Sequence, residues 1–482
     1  MKSELSNPDP ASPSPGDCRA FSTVAFALAA ASVAYAIHIR DGEYWPDALK
    51  WITVALLLTL TGCVFPYVPD RRRWGGTALF LALAYAVTFQ FIQLLRSPPG
   101  GWNWWSNDVH DLSWANLRFF YAGVTAAAFL SVGLLLDLPK MRAVCLPLLF
   151  AIHFALGAWM IRSSPLPKID VFAFQQIGPE ALLARKNPYA IEMPDIYHGT
   201  QQERDRAVYG QGLAADGKLK FGFPYPPLSL YFATIGYKLV GDHRYAQLLA
   251  LTLAGVFIAY CRPGRVAALA AVLLLFTPRG FFILGRAWTE PFVVCMLAAT
   301  VFCACRRLRV LPIALGLLLA SKQYMLFALP AAYLLVPGWR NSRRFGLLAL
   351  GAVATAAVVS APLVLWDWRA FVHSAGTVQK LAPFRTDALS YLVWIFHQTG
   401  KQYDVGVAFG AAVVGLVIAL WRCPRDPAGF AAALALVYLP FIAFNKQAFA
   451  NYYLFVIAAL CCAVAATDVS NSRSGIRGGS DR

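Results

Sequence analysis

Charge is scarce in this chain. Of its 482 residues only 14% are Asp, Glu, Lys or Arg, against 58% hydrophobic, and mean hydropathy is +0.53. Soluble domains carry about 25% charged residues, so an ordinary soluble fold is excluded. No glycine-rich phosphate cradle and no serine-nucleophile elbow occurs, and the activities carried by those motifs go with them. There is no repeat of fixed period and no inverted pair of broken helices, which weighs against a secondary transporter. Nothing resembles a cleavable signal: the first apolar run, Ala20–Ile39, is long enough to span a bilayer and reads as an anchor.

What is present points one way. Apolar runs of roughly 17–25 residues recur along the chain, the pattern of an all-α polytopic membrane protein. The net charge of +17 sits mostly in short connections between those runs, where basic residues set orientation. No RNA- or DNA-binding motif accompanies it, so nucleic acid is not an expected partner. Most of the ten cysteines, such as Cys63, Cys145, Cys295, Cys303, Cys461 and Cys462, lie inside apolar runs and imply no disulfide framework.

Charge also orders the runs. Five spans come first, near 20–39, 48–68, 76–95, 116–136 and 143–161. Arg71, Arg72 and Arg73, then Lys140 and Arg142, mark cytoplasmic turns; Asp41, Glu43, Asp47, Asp108 and Asp111 mark outer ones. The long loop 162–225 therefore faces outward. The segment 226–240 is too short to cross and is expected on the outer surface, with paired prolines opening its helix. Spans follow at 245–260 and 266–284, then an outer turn, GRAWTEP, and a descent to Arg306, Arg307 and Arg309. The run 310–336, interrupted by Ser321-Lys322-Gln323, reads as two half-depth helices meeting outside. A span at 345–365, an outer loop over 366–387, a surface helix at 388–397 and spans at 406–421, 429–444 and 452–466 complete about 13–14 crossings. Both termini are expected in the cytoplasm.

The unusual polar residues collect on the outer side: Asp170, Glu180, Arg185, Lys186, Arg286, Glu290, Lys322, Arg385 and Lys446. Charges at membrane depth are expensive, so a convergent set marks a functional site. A carboxylate can take a proton from an attacking hydroxyl. Cations can hold a phosphate whose charge grows as it leaves. Asp170 is the first candidate base and Glu290 the second; each also suits the start of a helix, Asp170 as its cap and Glu290 against its dipole. Asn187-Pro188-Tyr189 reads as a turn that fixes the loop. NDVHD, 107–111, gathers carboxylates around His110, but a solvated acidic loop explains it better than a metal site. The tryptophans at 102, 104, 105 and 114 suit an interfacial belt as well as sugar stacking.

At these residues the sequence resembles the GT-C class of membrane glycosyltransferases, most closely glycosyltransferase family 87. The matching elements are Asp170 followed by QQIGPEALLARKNPY, then FPYPPLSL, GRAWTEP, ASKQYMLFALP and NKQAFANYY, in that order. The departures are four spans ahead of the matching helix and Gly285-Arg286 where Gly-Gln is usual. The resemblance implies a GT-C-like bundle with an outer-face loop and juxtamembrane helices. In it, residues 1–19 are a disordered cytoplasmic N-terminus, 20–142 four extra helices, 143–467 the catalytic core with its outer loop at 162–242, and 468–482 a basic tail. It implies transfer of a sugar, plausibly mannose, from a polyprenyl-phosphate donor to a lipid, glycan or protein hydroxyl. Asp170 would be the base, Lys322, Arg286, Arg385 and Lys446 would hold the phosphate, and Tyr189 and Tyr225 would lie on the substrate side. No metal or other cofactor is implied. The alternative is a transporter or flippase of a lipid-linked sugar, without a base.

Overall fold

The computed structural model describes residues 17–69, 74–102, 114–136, 138–200, 208–336, 338 and 341–468. The expected disorder of residues 1–16, the NDVHD stretch, Trp104, Trp105 and the tail from 469 lie outside the described residues.

An apolar chain in lipid must satisfy its backbone within itself, which leaves helices as the solution here. In chain order these are α1 (Ala20–Ile39), α2 (Pro46–Val64), α3 (Gly75–Arg96), α4 (Trp114–Leu135), α5 (Pro139–Ser163), α6 (Asp170–Leu183), α7 (Pro227–Val240), α8 (Arg244–Cys261), α9 (Arg265–Leu275), α10 (Gly280–Gly285), α11 (Glu290–Cys305), α12 (Leu311–Leu319), α13 (Ser342–Trp366), α14 (Tyr391–Thr399), α15 (Gly406–Arg422), α16 (Pro427–Ala443) and α17 (Ala450–Ala466). Seven of them, α1 to α5, α8 and α13, are long and apolar enough to cross a membrane, and six shorter apolar helical segments accompany them. The chain is an all-α polytopic membrane protein. Its strands are two-residue pairs: β1 (Asp17–Cys18) with β2 (Val68–Pro69), and β5 (Lys218–Leu219) between β3 (Met193–Pro194) and β4 (Ala214–Ala215).

The connections gather at two ends. At one, Arg19 pairs with Asp426 at 2.6 Å, Arg262 with Asp468 at 3.1 Å, Arg422 donates to the Val64 carbonyl at 2.6 Å and Arg306 to that of Tyr260 at 2.7 Å. At the other, the Tyr44 amide donates to the Asp387 carbonyl at 2.8 Å, the Leu389 amide to that of Ala448 at 2.8 Å and the Arg244 guanidinium to that of Ser164 at 2.6 Å. Basic side chains thus tie off the first end, and backbone and side-chain contacts between distant loops close the other.

Two expectations need correction. The single span over 266–284 is two helices, α9 and α10, broken at Thr277-Pro278-Arg279. Proline cannot continue the ladder, and Arg279, fully buried, turns aside to pair with Asp41 at 2.7 Å. The loop expected over 366–387 is largely helical, running as short turns from Trp368 to Leu381; Asp367 caps the first by accepting from the Ala370 amide at 3.0 Å. The four helices that precede residue 142 pack into the same bundle as the rest. Fifteen residues of α1 are buried, it packs against α17, and one hydrophobic core runs through the segments on both sides of residue 142.

Single cysteines at Lys186 and Ser342, both exposed and at opposite ends, should react with an impermeant maleimide from opposite sides of the membrane. Labelling of both from one side would break the two-ended arrangement.

Candidate functional site

At the end away from the basic clamps lies a cavity of about 1200 Å³. Asp170, Arg286, Lys322, Arg385, Lys446 and Tyr225, from six separate stretches of the chain, all line it. Glu180, Arg185 and Lys186 do not: they are exposed at the far end of α6, where Glu180 accepts from Gln176 and from Tyr237.

Asp170 is the first residue inside α6; the cap is Ile169, so the expectation of an N-cap aspartate is off by one position. Its Oδ1 accepts from the Val171 amide at 2.8 Å and its Oδ2 from the Tyr209 hydroxyl at 3.3 Å, while its own amide donates to Tyr197 Oη at 3.3 Å. Burial raises the carboxyl above the usual aspartate range, and the Val171 amide, the Arg385 charge and the Tyr209 hydroxyl only partly offset this. The side chain is half-buried, so the cavity reaches it without flooding it. Burial and the Asp170 charge push the Tyr197 and Tyr209 phenols upward, which keeps both neutral. Neither tyrosine carries a sequence signal: each lies tens of residues from Asp170 in an irregular loop.

Two further features hold α6 in place. Arg244, fully buried, grips Asp242 at 2.6 Å and donates to the carbonyls of Ser164, Ile161, Pro165 and Gly285, which fixes the approach to Asp170. Gln247 donates to Gln175 Oε1 at 2.9 Å and to the Ala287 carbonyl at 3.0 Å, and Gln175 donates to that same carbonyl. The GRAWTEP turn, bent by Ala287 at φ +59°, is thereby tied to α6. Both glutamines were overlooked in the sequence because they sit inside apolar helices at no diagnostic spacing.

Lys322 interrupts its apolar run as expected, and the cavity lies beside it. Its ammonium is already answered, by Glu290 at 2.9 Å and Thr289 Oγ1 at 2.5 Å, and lies 4.6 Å from the Tyr225 ring centre. Glu290 is 0% exposed and does not line the cavity. It is the ion-pair partner of Lys322. Tyr189 is also set back: its ring is buried and its hydroxyl donates to the Tyr225 carbonyl at 2.8 Å, so it supports the substrate side from behind. Arg385 pairs with Asp387 at 2.8 Å, Arg286 lies over the Phe282 ring, and the Lys446 ammonium donates to the Ala382 carbonyl. Desolvation lowers the Lys446 ammonium below the usual lysine range.

The cavity is amphipathic. Beside its charged groups it is lined by an apolar flank of Leu326, Val405, Phe409 and Phe441, of which Leu326 and Phe409 are exposed. Among the described residues no group of His, Cys, Asp and Glu is arranged to hold a metal.

Removing one member of a buried ion pair strands the other. Glu290→Gln should therefore destabilise the protein by about 3–5 kcal/mol, read as loss of thermal stability in detergent. Glu290→Gln with Lys322→Met should recover part of that loss.

Comparison with known proteins adds no identity to this geometry: no family model, curated protein or solved structure matches the chain.

Proposed function

We propose that the protein is a membrane glycosyltransferase of GT-C type, moving a sugar from a polyprenyl-phosphate donor to a hydroxyl acceptor. The observation that carries the reading is a raised, half-buried carboxylate sharing one cavity with Arg286, Lys322, Arg385 and Lys446 and with an apolar flank. A lipid-linked sugar phosphate matches that combination: an apolar tail, an anion that gains charge on leaving, and an electrophilic anomeric carbon.

In the step itself, the acceptor oxygen attacks the anomeric carbon as the bond to the phosphate oxygen breaks. The electron pair leaves with the phosphate, the configuration inverts, and Asp170 takes the acceptor's proton. Lys322, Arg286, Arg385 and Lys446 are pre-oriented by their partners, so they can stabilise the growing phosphate charge with little reorganisation. Tyr225 and the apolar edge at Phe409 shape the donor side.

Orientation follows from charge. The end that carries Arg19, Arg262, Arg306 and Arg422 fits the cytoplasmic side of an inner or plasma membrane by the positive-inside rule. The cavity then opens extracytoplasmically, and both termini are cytoplasmic.

Purified protein given a radiolabelled polyprenyl-phosphate sugar and mixed glycolipid acceptors should form product. Asp170→Asn should lower turnover by about 10²–10⁴-fold with donor binding intact. Normal turnover in that variant would sink the mechanism, and donor translocation without transfer would favour a flippase. The pH profile adds a second check. A base with a raised pKa is lost as pH falls through that value, so the acid limb of kcat/KM should lie above the pH at which an ordinary aspartate titrates.

A further inference from the structure

One wall of the cavity takes no part in the proposed transfer. It comes from the N-terminal helices: Arg40, Asp41 and Glu43 in the α1–α2 connection and Trp102 beyond α3, beside Phe282 and Trp288.

This wall is tightly built. One Asp41 oxygen pairs with the buried Arg279 at 2.7 Å, and the other accepts the Trp102 amide at 2.7 Å. The Trp102 indole N–H donates to the His38 carbonyl at 2.9 Å, and the Arg279 guanidinium lies 5.2 Å from the indole centre. Gly101, at φ +96°, leaves no room for a side chain: a Cβ there would meet Asp41 Oδ2 at 2.8 Å and Phe282 at 2.9 Å. Withdrawing a guanidinium and a carboxylate from water costs several kcal/mol per ion. What the arrangement fixes is the pose of one indole.

That indole is nevertheless 44% exposed and lines the cavity. With its N–H engaged, the ring offers an apolar face. Arg40 and Glu43, which flank Asp41 in the chain, line the cavity too and are side chains that pair with hydroxyls. A pyranose presents this combination in reverse, with an apolar C–H face and a rim of hydroxyls. Size agrees: binding pockets commonly measure about 300–1,000 Å³, and about 1200 Å³ accommodates more than one sugar-sized group.

We propose that this wall is a saccharide subsite, stacking a sugar of the acceptor on Trp102 and bonding its hydroxyls through Glu43 and Arg40. The acceptor is then a glycan rather than a bare lipid or protein hydroxyl. The acceptor's role rests on glycosyl transfer at Asp170, whereas binding of the sugar is measured separately.

The test is saturation-transfer NMR on the full chain in nanodiscs, with free mono- to tetrasaccharides of mannose, glucose, galactose and arabinose. At least one oligosaccharide should bind. Trp102→Ala should weaken it about ten-fold, and Trp102→Tyr should restore most of the binding. Glu43→Gln, which leaves the Arg279 lock intact, should weaken binding about three-fold and serves if Trp102→Ala does not fold. Absence of binding across the panel, or wild-type binding in both Trp102→Ala and Glu43→Gln, overturns the subsite. Binding without any transfer overturns the transferase reading alone, and transfer to simple lipid alcohols without oligosaccharide binding overturns the subsite alone.

Discussion

A guanidinium inside an apolar bundle has to be answered, and Arg279 is answered by Asp41. That pair joins the first inter-helical turn to the middle of the chain and breaks what would otherwise be one continuous helix. It also sets Trp102 against the cavity. Lose it, and the wall, the helix break and the turn leading to Arg286 lose their common reference. Buried pairs of this kind contribute little net stability but penalise every arrangement that separates the partners. Here that penalty selects one geometry for a site assembled from distant segments.

The same logic runs around the cavity. Lys322 has Glu290, Arg385 has Asp387 and Arg244 has Asp242. Each cation is held before any ligand arrives, so less ordering accompanies binding. Asp170 is the exception. Among the described residues it is held by an amide and a phenol, and no cation sits at ion-pair distance. A carboxylate kept partly desolvated in this way suits the role of base proposed for it.

Much of this was legible in the sequence. Hydropathy indicated the all-α membrane class, because lipid leaves the backbone few choices. Loop charges grouped Asp170, Arg286, Lys322, Arg385 and Lys446 on one side, and all five line one cavity. Lys322 betrayed itself by breaking an apolar run. Arg279 broke one too, within Thr-Pro-Arg-Gly, yet the surrounding leucines and phenylalanines outweighed it in any window average. The pairing of Glu290 with Lys322 could not be read from the sequence, since it is a tertiary fact. Tyr197, Tyr209, Gln175 and Gln247 left no trace because their partners lie far along the chain and no periodicity marks them. The helical character of 366–387 was hidden by polar residues that read as loop.

The packing of α1 against α17 has a consequence for biogenesis. Gly42 meets the backbone at Ala450 so closely that a Cβ would lie 2.4 Å from that residue's nitrogen, and Arg19 reaches across 407 positions to Asp426. A ribosome releases the first partner long before the second exists. Throughout that interval the alanine-rich face of α1 waits in lipid with its final neighbour missing, and Trp102 has a wall that α17 has not yet closed. Assembly of the cavity is therefore a late event, completed only when the last helix enters the bilayer, and a chain cut short near its C-terminus would insert most of its helices yet never enclose the site.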